Sequence, residues 1–138
     1  MSTAETETLS VTVEREVAYP PEKIWRALTQ PHLIEAWLMK NDFKPVVGHQ
    51  FKLSADWGSV DCEVLTLEPH KTLAYTWGAM GVGTIVTWTL TPTSTGTHLR
   101  MEQAGFSAEP SHARYYEGAK YGWQQFFGNL EQVLAKPD

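Results

Sequence analysis

A change of hydrophobic period divides this chain and narrows the folds open to it. From residue 51 to 102, apolar side chains recur at every second position, the mark of strands with one buried face. "QFKLSAD" sets Phe51 and Leu53 against Lys52 and Ser54. "SVDCEVLTLE" groups Val60, Cys62 and Val64, then slips at Leu65 and Leu67 as a bulge would. "TLAYTW" places Leu73, Tyr75 and Trp77 on one face, "TIVTWTL" places Val86, Trp88 and Leu90, and "THLRMEQ" places Thr97, Leu99 and Met101. Short turn signals separate these runs, among them the glycine-rich "GAMGVG" (78–83) and "TSTGT", so an antiparallel meander is expected. From about 112 to 135 the period becomes helical, with Tyr116, Ala119, Trp123, Phe127, Leu130 and Leu134 on one stripe.

The N-terminal part repeats both periods in short form. Leu9, Val11, Val13, Val17 and Tyr19 alternate with polar residues as one more strand, and Arg15 interrupts its apolar face. "YPPEKIWRALTQP" reads as a helix opened by Pro21 and stopped by Pro31. "PHLIEAWL" reads as a second, with Leu33, Ala36 and Trp37 on its apolar side, and residues 41–48 as a Gly/Pro-containing connection. Residues 1–8 read as a disordered tail and 9–135 as a single domain. Each element has one apolar face, and those faces must meet. The expected architecture is α+β: a curved antiparallel β-sheet wrapped around a long C-terminal helix, with two short helices after the first strand.

Charge and composition exclude several roles. Eleven basic against sixteen acidic residues give a net charge of −5, and no stretch gathers Lys and Arg into a patch, so no nucleic-acid partner is expected. No basic amphipathic helix is present, nor an apolar run near the roughly 18–20 residues that span a bilayer, so no membrane partner is expected. "MSTAETETLS" is acidic and polar, unlike a secretory signal, and the single Cys62 fits a reducing compartment. A cytoplasmic location is the expectation.

Catalytic motifs are missing from the sequence. There is no GxSxG, HExxH, P-loop or GxGxxG pattern. His32, His49, His70, His98 and His112 stand apart from one another and from Cys, Asp or Glu at metal-ligand spacings. No catalytic residue, metal or cofactor is therefore assigned. Cys62 reads as a buried structural thiol, because nothing nearby would lower its pKa.

Two signals point to binding. Arg15, among valines, either snorkels and pairs with a carboxylate or anchors the anionic or polar end of a ligand. The aromatic set, with six tryptophans in 138 residues, fills a core or lines a hollow. The candidate ligand-binding residues are Arg15 as anchor, Tyr75, Trp77, Trp88 and Met101 from the strands, Tyr116 and Trp123 from the last helix, and Trp37 at the mouth. Gly118 and Gly122 each disfavour that helix by ~1 kcal/mol relative to alanine. They either permit close approach of a neighbour or soften the helix so that it can open. The helix from Phe127 onward reads as plain core, and the turns around Gly118, Gly122 and Trp123 as the wall of a cavity.

"IWRALTQPHLIEAWL" (24–38), "VLTLEPHKTLAYTW" (64–77), "GTHLRMEQAGF" (96–106) and "GWQQFFGNLEQVL" (122–134) occur in that order. Together they resemble the bacterial family similar to the C-terminal domain of the activator of the heat-shock-protein-90 ATPase. That family lies in the START-like superfamily, which has the helix-grip fold of the birch pollen allergen. The resemblance covers residues 9–135. His49 stands in "GHQF" where the family often has a second glycine. The resemblance implies a cavity between sheet and C-terminal helix, in a family of ligand carriers and resistance proteins with polyketide cyclases among wider relatives.

Three functions are expected from this reading. The first is a binding protein for a small hydrophobic or aromatic molecule. The second is a cyclase- or hydrolase-like enzyme in the same cavity, weakened because the inward positions offer no carboxylate or histidine. The third is a stress-linked module contacting a chaperone, with a filled core. A homodimer stays open as an oligomeric form.

Overall fold

The structure is a computed structural model that describes residues 8–79, 82–107 and 110–136. Along the chain run β1 (Thr8–Val17), α1 (Pro21–Thr29), α2 (Pro31–Trp37), β2 (Lys40–Asn41), β3 (Gln50–Ala55), β4 (Gly58–Glu68), β5 (Thr72–Ala79), β6 (Val82–Thr93), β7 (Gly96–Ser107) and α3 (Pro110–Leu134). The expected N-terminal tail lies outside the described residues, apart from Thr8, which opens β1. The centre of "GAMGVG", residues 80–81, also lies outside them. Its flanks are strand where a loop was expected, because Gly78 pairs with Gly83 and Ala79 with Val82.

The strands form one antiparallel sheet in the order β1-β7-β6-β5-β4-β3-β2. The meander β3 to β7 follows from short turns; β1 joins it by pairing along β7, with Val13 opposite Met101 and Arg15 opposite Leu99. The turn into β7 closes tightly on the end of β1: a Cβ on Gly96 would lie 2.1 Å from the Val17 carbonyl oxygen, so only glycine fits. The slip at Leu65 is a register shift between Val64 and Thr66, a bulge that bends the strand. The sheet is curved and α3 lies in its grip, the helix-grip arrangement.

Inward residues of the long strands share one hydrophobic core with α1, α2 and α3. Trp88 is fully enclosed; Phe127 stacks on it at 5.5 Å between centroids and Trp123 meets it edge-on at 5.8 Å. Phe127, Leu130 and Leu134 continue this packing to the end of α3. α2 is turned from its expected face: Ile34 and Trp37 are buried, Leu33 is half-buried and Ala36 is exposed. Trp37 sets that rotation, because its Nε1–H donates to the Ala27 carbonyl at 2.8 Å and its ring meets Trp88 edge-on at 5.5 Å. β2 was not expected. Two residues are too short to show a period, and it forms because Lys40 and Asn41 pair with Ser54 and Leu53.

Candidate functional site

Below the first half of α3 the grip is not filled. A cavity of about 200 Å³ lies there, lined by Met39, Trp57, Trp77, Gln103, Tyr115, Gly118, Ala119, Gly122, Trp123 and Phe126. β5 supplies Trp77 and β7 supplies Gln103, while α3 supplies the residues from Tyr115 to Phe126. Met39 follows α2, and Trp57 sits in the β3–β4 turn, more than half exposed at the rim.

The walls are aromatic and tied by hydrogen bonds. Trp77 and Trp123 lie 5.3 Å apart at 51°, and Phe126 meets Trp123 edge-on at 5.4 Å. Trp77 Nε1–H donates to the Tyr115 hydroxyl at 2.7 Å, from sheet to helix. Trp123 Nε1–H donates to Gln103 Oε1 at 2.6 Å, from helix to sheet. Gln103 Nε2–H donates to Thr84 Oγ1 at 2.8 Å, and the Thr84 hydroxyl donates to the Trp77 carbonyl at 3.0 Å. Buried indole and amide groups need such partners, and no buried side-chain polar atom among the described residues lacks one. Burial raises the Tyr115 pKa above its ordinary value, against a smaller lowering from the Trp77 bond, so the phenol stays neutral at pH 7.

The candidate residues from the sequence fall into three groups. Trp77 and Trp123 line the cavity together. Trp37, Tyr75, Trp88 and Met101 are buried in the core beside it and do not line it. Trp37 is therefore not at the mouth: its bond to Ala27 holds it inside. Tyr75 accepts a hydrogen bond from Trp88 Nε1 at 3.1 Å, and burial raises its pKa. Arg15 and Tyr116 lie outside the cavity lining, nearer β1. Arg15 donates to Gln124 Oε1 at 2.7 Å and to the Glu14 carbonyl at 3.0 Å, with its guanidinium 5.6 Å from the Phe127 ring. It pairs, as one reading allowed, but with an amide and a carbonyl in place of a carboxylate. Tyr116 packs on Phe106 at 5.2 Å and donates to the Ser10 carbonyl at 3.3 Å.

Sequence reasoning missed Tyr115, Gln103, Met39, Phe126 and Trp57 as lining residues. Gln103 was findable, since it continues the inward series Leu99, Met101 on β7. Tyr115 was not, because one position on a helix is a turn of about 100° and only packing sets the phase. The close-approach reading of Gly118 and Gly122 fails: a Cβ on either would meet no atom within 4 Å.

Larger hollows lie elsewhere. One of about 440 Å³ has Asp42, Lys52, Asp61 and Glu63 in its wall, and another of about 360 Å³ lies between α1, α2 and the end of α3. The smaller cavity is the better candidate because it is the one gripped between helix and sheet and walled by aromatic rings. Among the described residues no three His, Cys, Asp or Glu side chains converge as metal ligands. No helix among them is long and apolar enough to cross a membrane.

Fold and cavity define a helix-grip protein of the START-like class. The chain belongs to the family described as Activator of Hsp90 ATPase homolog 1-like protein, which matches residues 18–135. It is similar to the crystal structure of protein MLL2253 from Mesorhizobium loti, with 61% identity, a TM-score of 0.89, and coverage of 94% of this chain and 99% of that one. It is also similar to the solution structure of protein BH1534 from Bacillus halodurans, with 27% identity, a TM-score of 0.79, and coverage of 91% and 96%. DynU16, of the dynemicin biosynthetic locus, is 26% identical with a TM-score of 0.81, over 91% of this chain and 46% of that one. No curated protein matches this chain.

Proposed function

We propose that the protein binds a small hydrophobic or aromatic molecule between the sheet and the first half of α3. The observation that carries this reading is the aromatic cavity of about 200 Å³ under Gly118 and Gly122. Apolar burial against Trp77, Trp123 and Phe126 drives the binding, and the bonded pairs Trp77–Tyr115 and Trp123–Gln103 keep the walls in place. The likeness to DynU16, of a locus for a small-molecule product, is in keeping with such a ligand. Among the described residues the cavity lining contains no carboxylate or imidazole, which favours carriage over acid–base catalysis. Chaperone contact has only the family description behind it.

A panel of hydrophobic ligands, read by tryptophan fluorescence, thermal shift and native mass spectrometry, tests the proposal. Binding should quench Trp77 and Trp123 and raise the melting temperature. Trp123→Ala should abolish the response, whereas Leu130→Ala should cost ~2–5 kcal/mol of stability and leave it intact. Equal effects of both on ligand response at matched stability would refute the assignment of the site.

A further inference from the structure

We propose that the groove between α1, α2 and the end of α3 is a second binding site, and that it takes a free single-chain amphiphile with a carboxylate head and a short apolar tail. The groove is separate from the aromatic cavity, and this site does not depend on what the cavity holds.

Charge is the first argument. Lys23, Arg26 and Lys136 line the groove with His32, and the described lining contains no Asp or Glu. Three cations thus gather on a chain whose net charge is −5. The other large hollow has the opposite sign, with Asp42, Asp61 and Glu63 against Lys52. No stretch of sequence shows the basic patch, because Lys136 lies 113 residues after Lys23. The fold joins them: Lys23 Nζ donates to the Lys136 carbonyl at 2.9 Å and stands 5.0 Å over the Tyr19 ring. Arg26 follows Lys23 by one turn of α1. A guanidinium suits a carboxylate, which it binds through two parallel hydrogen bonds, and the ammonium groups add charge.

The floor is the second argument. Ala27 and Leu134 are buried, and Leu33 and Val133 are half-buried. Leu33 and Ala36 stand one turn apart on α2 and extend this apolar surface. A tail laid on these residues leaves water while the head stays with the cations. Each methylene so buried strengthens binding by up to about fourfold.

Form decides the occupant. The hollow measures about 360 Å³, within the range of small-ligand sites. α2 has seven residues and is ~10 Å long, so the trough suits a short chain. None of the large apolar side chains exposed among the described residues belongs to the lining. A bilayer or a folded partner therefore meets no protruding anchor here, whereas a narrow chain reaches the recessed floor.

The test uses the full chain at pH 7 and follows backbone amide and indole signals by heteronuclear NMR during titration with decanoate, decanol or decyltrimethylammonium. Decanoate should shift the amides of Leu33, Ala36 and Val133 and leave the indole signals of Trp77 and Trp123 in place. It should bind about tenfold or more tighter than decanol, and the ammonium should not bind. Lys136→Glu should weaken decanoate about fivefold or more, while keeping the main-chain carbonyl that Lys23 uses. Ala36→Trp, at an exposed position, should fill the groove and abolish decanoate binding with no change of charge. Equal affinity for decanoate and decanol, or unchanged decanoate affinity in either variant, would overturn the proposal. Shifts confined to the two indoles would overturn it by moving the amphiphile to the aromatic cavity. Groove shifts that follow protein concentration without ligand would assign a second copy. Groove shifts seen only with phosphatidylglycerol vesicles or only with poly-glutamate would assign a membrane or an acidic peptide, and each of these results overturns it too. No shift with decanoate overturns it outright and leaves the reading of the aromatic cavity standing.

Discussion

Gln103 divides its amide between two elements. Its oxygen accepts from Trp123 on α3, and its nitrogen donates to Thr84 on β6. The residue is almost completely buried, so each of these bonds replaces water that cannot reach it. Removing the amide strands the Trp123 indole N–H in an apolar wall. Gln103→Leu should therefore lower stability by about 1–3 kcal/mol in urea unfolding, more than its change in apolar area would suggest. A midpoint unchanged from wild type would mean that the indole finds another partner. Arg15 shows a different outcome for a polar residue on an inward face. It lies on an edge strand, where its guanidinium reaches Gln124 and the Glu14 carbonyl while its charge stays near solvent. The sequence marked Arg15 as unusual, yet could not choose between pairing and ligand anchoring, because the choice depended on which helix turn lay opposite.

At the scale of elements, α3 is two helices in one. From Phe127 to Leu134 it is anchored by fully enclosed side chains. From Tyr115 to Phe126 it roofs a cavity and carries two glycines with open space around them. Gly118→Ala and Gly122→Ala should each raise stability by roughly 0.5–1 kcal/mol in the absence of ligand. A destabilising effect would show that these turns are not plain helix. The β1–β7 pair carries a titratable cluster on the opposite, solvent-facing side. His98 bonds to Glu16, directly across the ladder, and to Glu14 at 2.7 Å. Those two bonds raise its pKa above the ordinary histidine value. A raised folded pKa means that the stabilisation is fully present below the unfolded value near ~6.5 and is lost as pH rises through the folded value. The gap in melting temperature between wild type and His98→Ala should therefore be widest in mild acid and close on the alkaline side. A gap that widens with pH would reverse this assignment.

The same distinction between period and phase runs through the whole elements. Alternation made β1 and the five strands from β3 to β7 readable, since each is long enough to repeat. It failed at β2, which has two residues, and at α2, where a single buried Trp37 sets the rotation. In α3 the sequence put Tyr116 on the working stripe, whereas the fold turns Tyr115 toward the cavity and Tyr116 toward β1. Both tyrosines suit either place; the curvature of the sheet decides.

Across the whole molecule one hydrophobic core joins sheet and helices, and Cys62 belongs to it. The thiol is buried in the core, and burial, with smaller contributions from Asp61 and Asp42, pushes its pKa up to about 12. Alkylation at pH 8 should therefore be slow in native protein and accelerate with urea in step with global unfolding. Labelling in native buffer at the rate of a free thiol would contradict the burial of Cys62. The amino-acid sequence by itself determined the α+β class, the meander and the long final helix, because these rest on hydrophobic periods and turn residues that act over short distances; the family was legible through the resemblance of four segments in order. Tertiary structure alone decided which aromatic rings fill the core and which face a cavity. Trp77, Trp88 and Trp123 are equally apolar in the sequence. Trp88 is enclosed against Phe127, while Trp77 and Trp123 also border the cavity under the first half of α3, a difference set by helix phase and sheet curvature across residues distant in the chain.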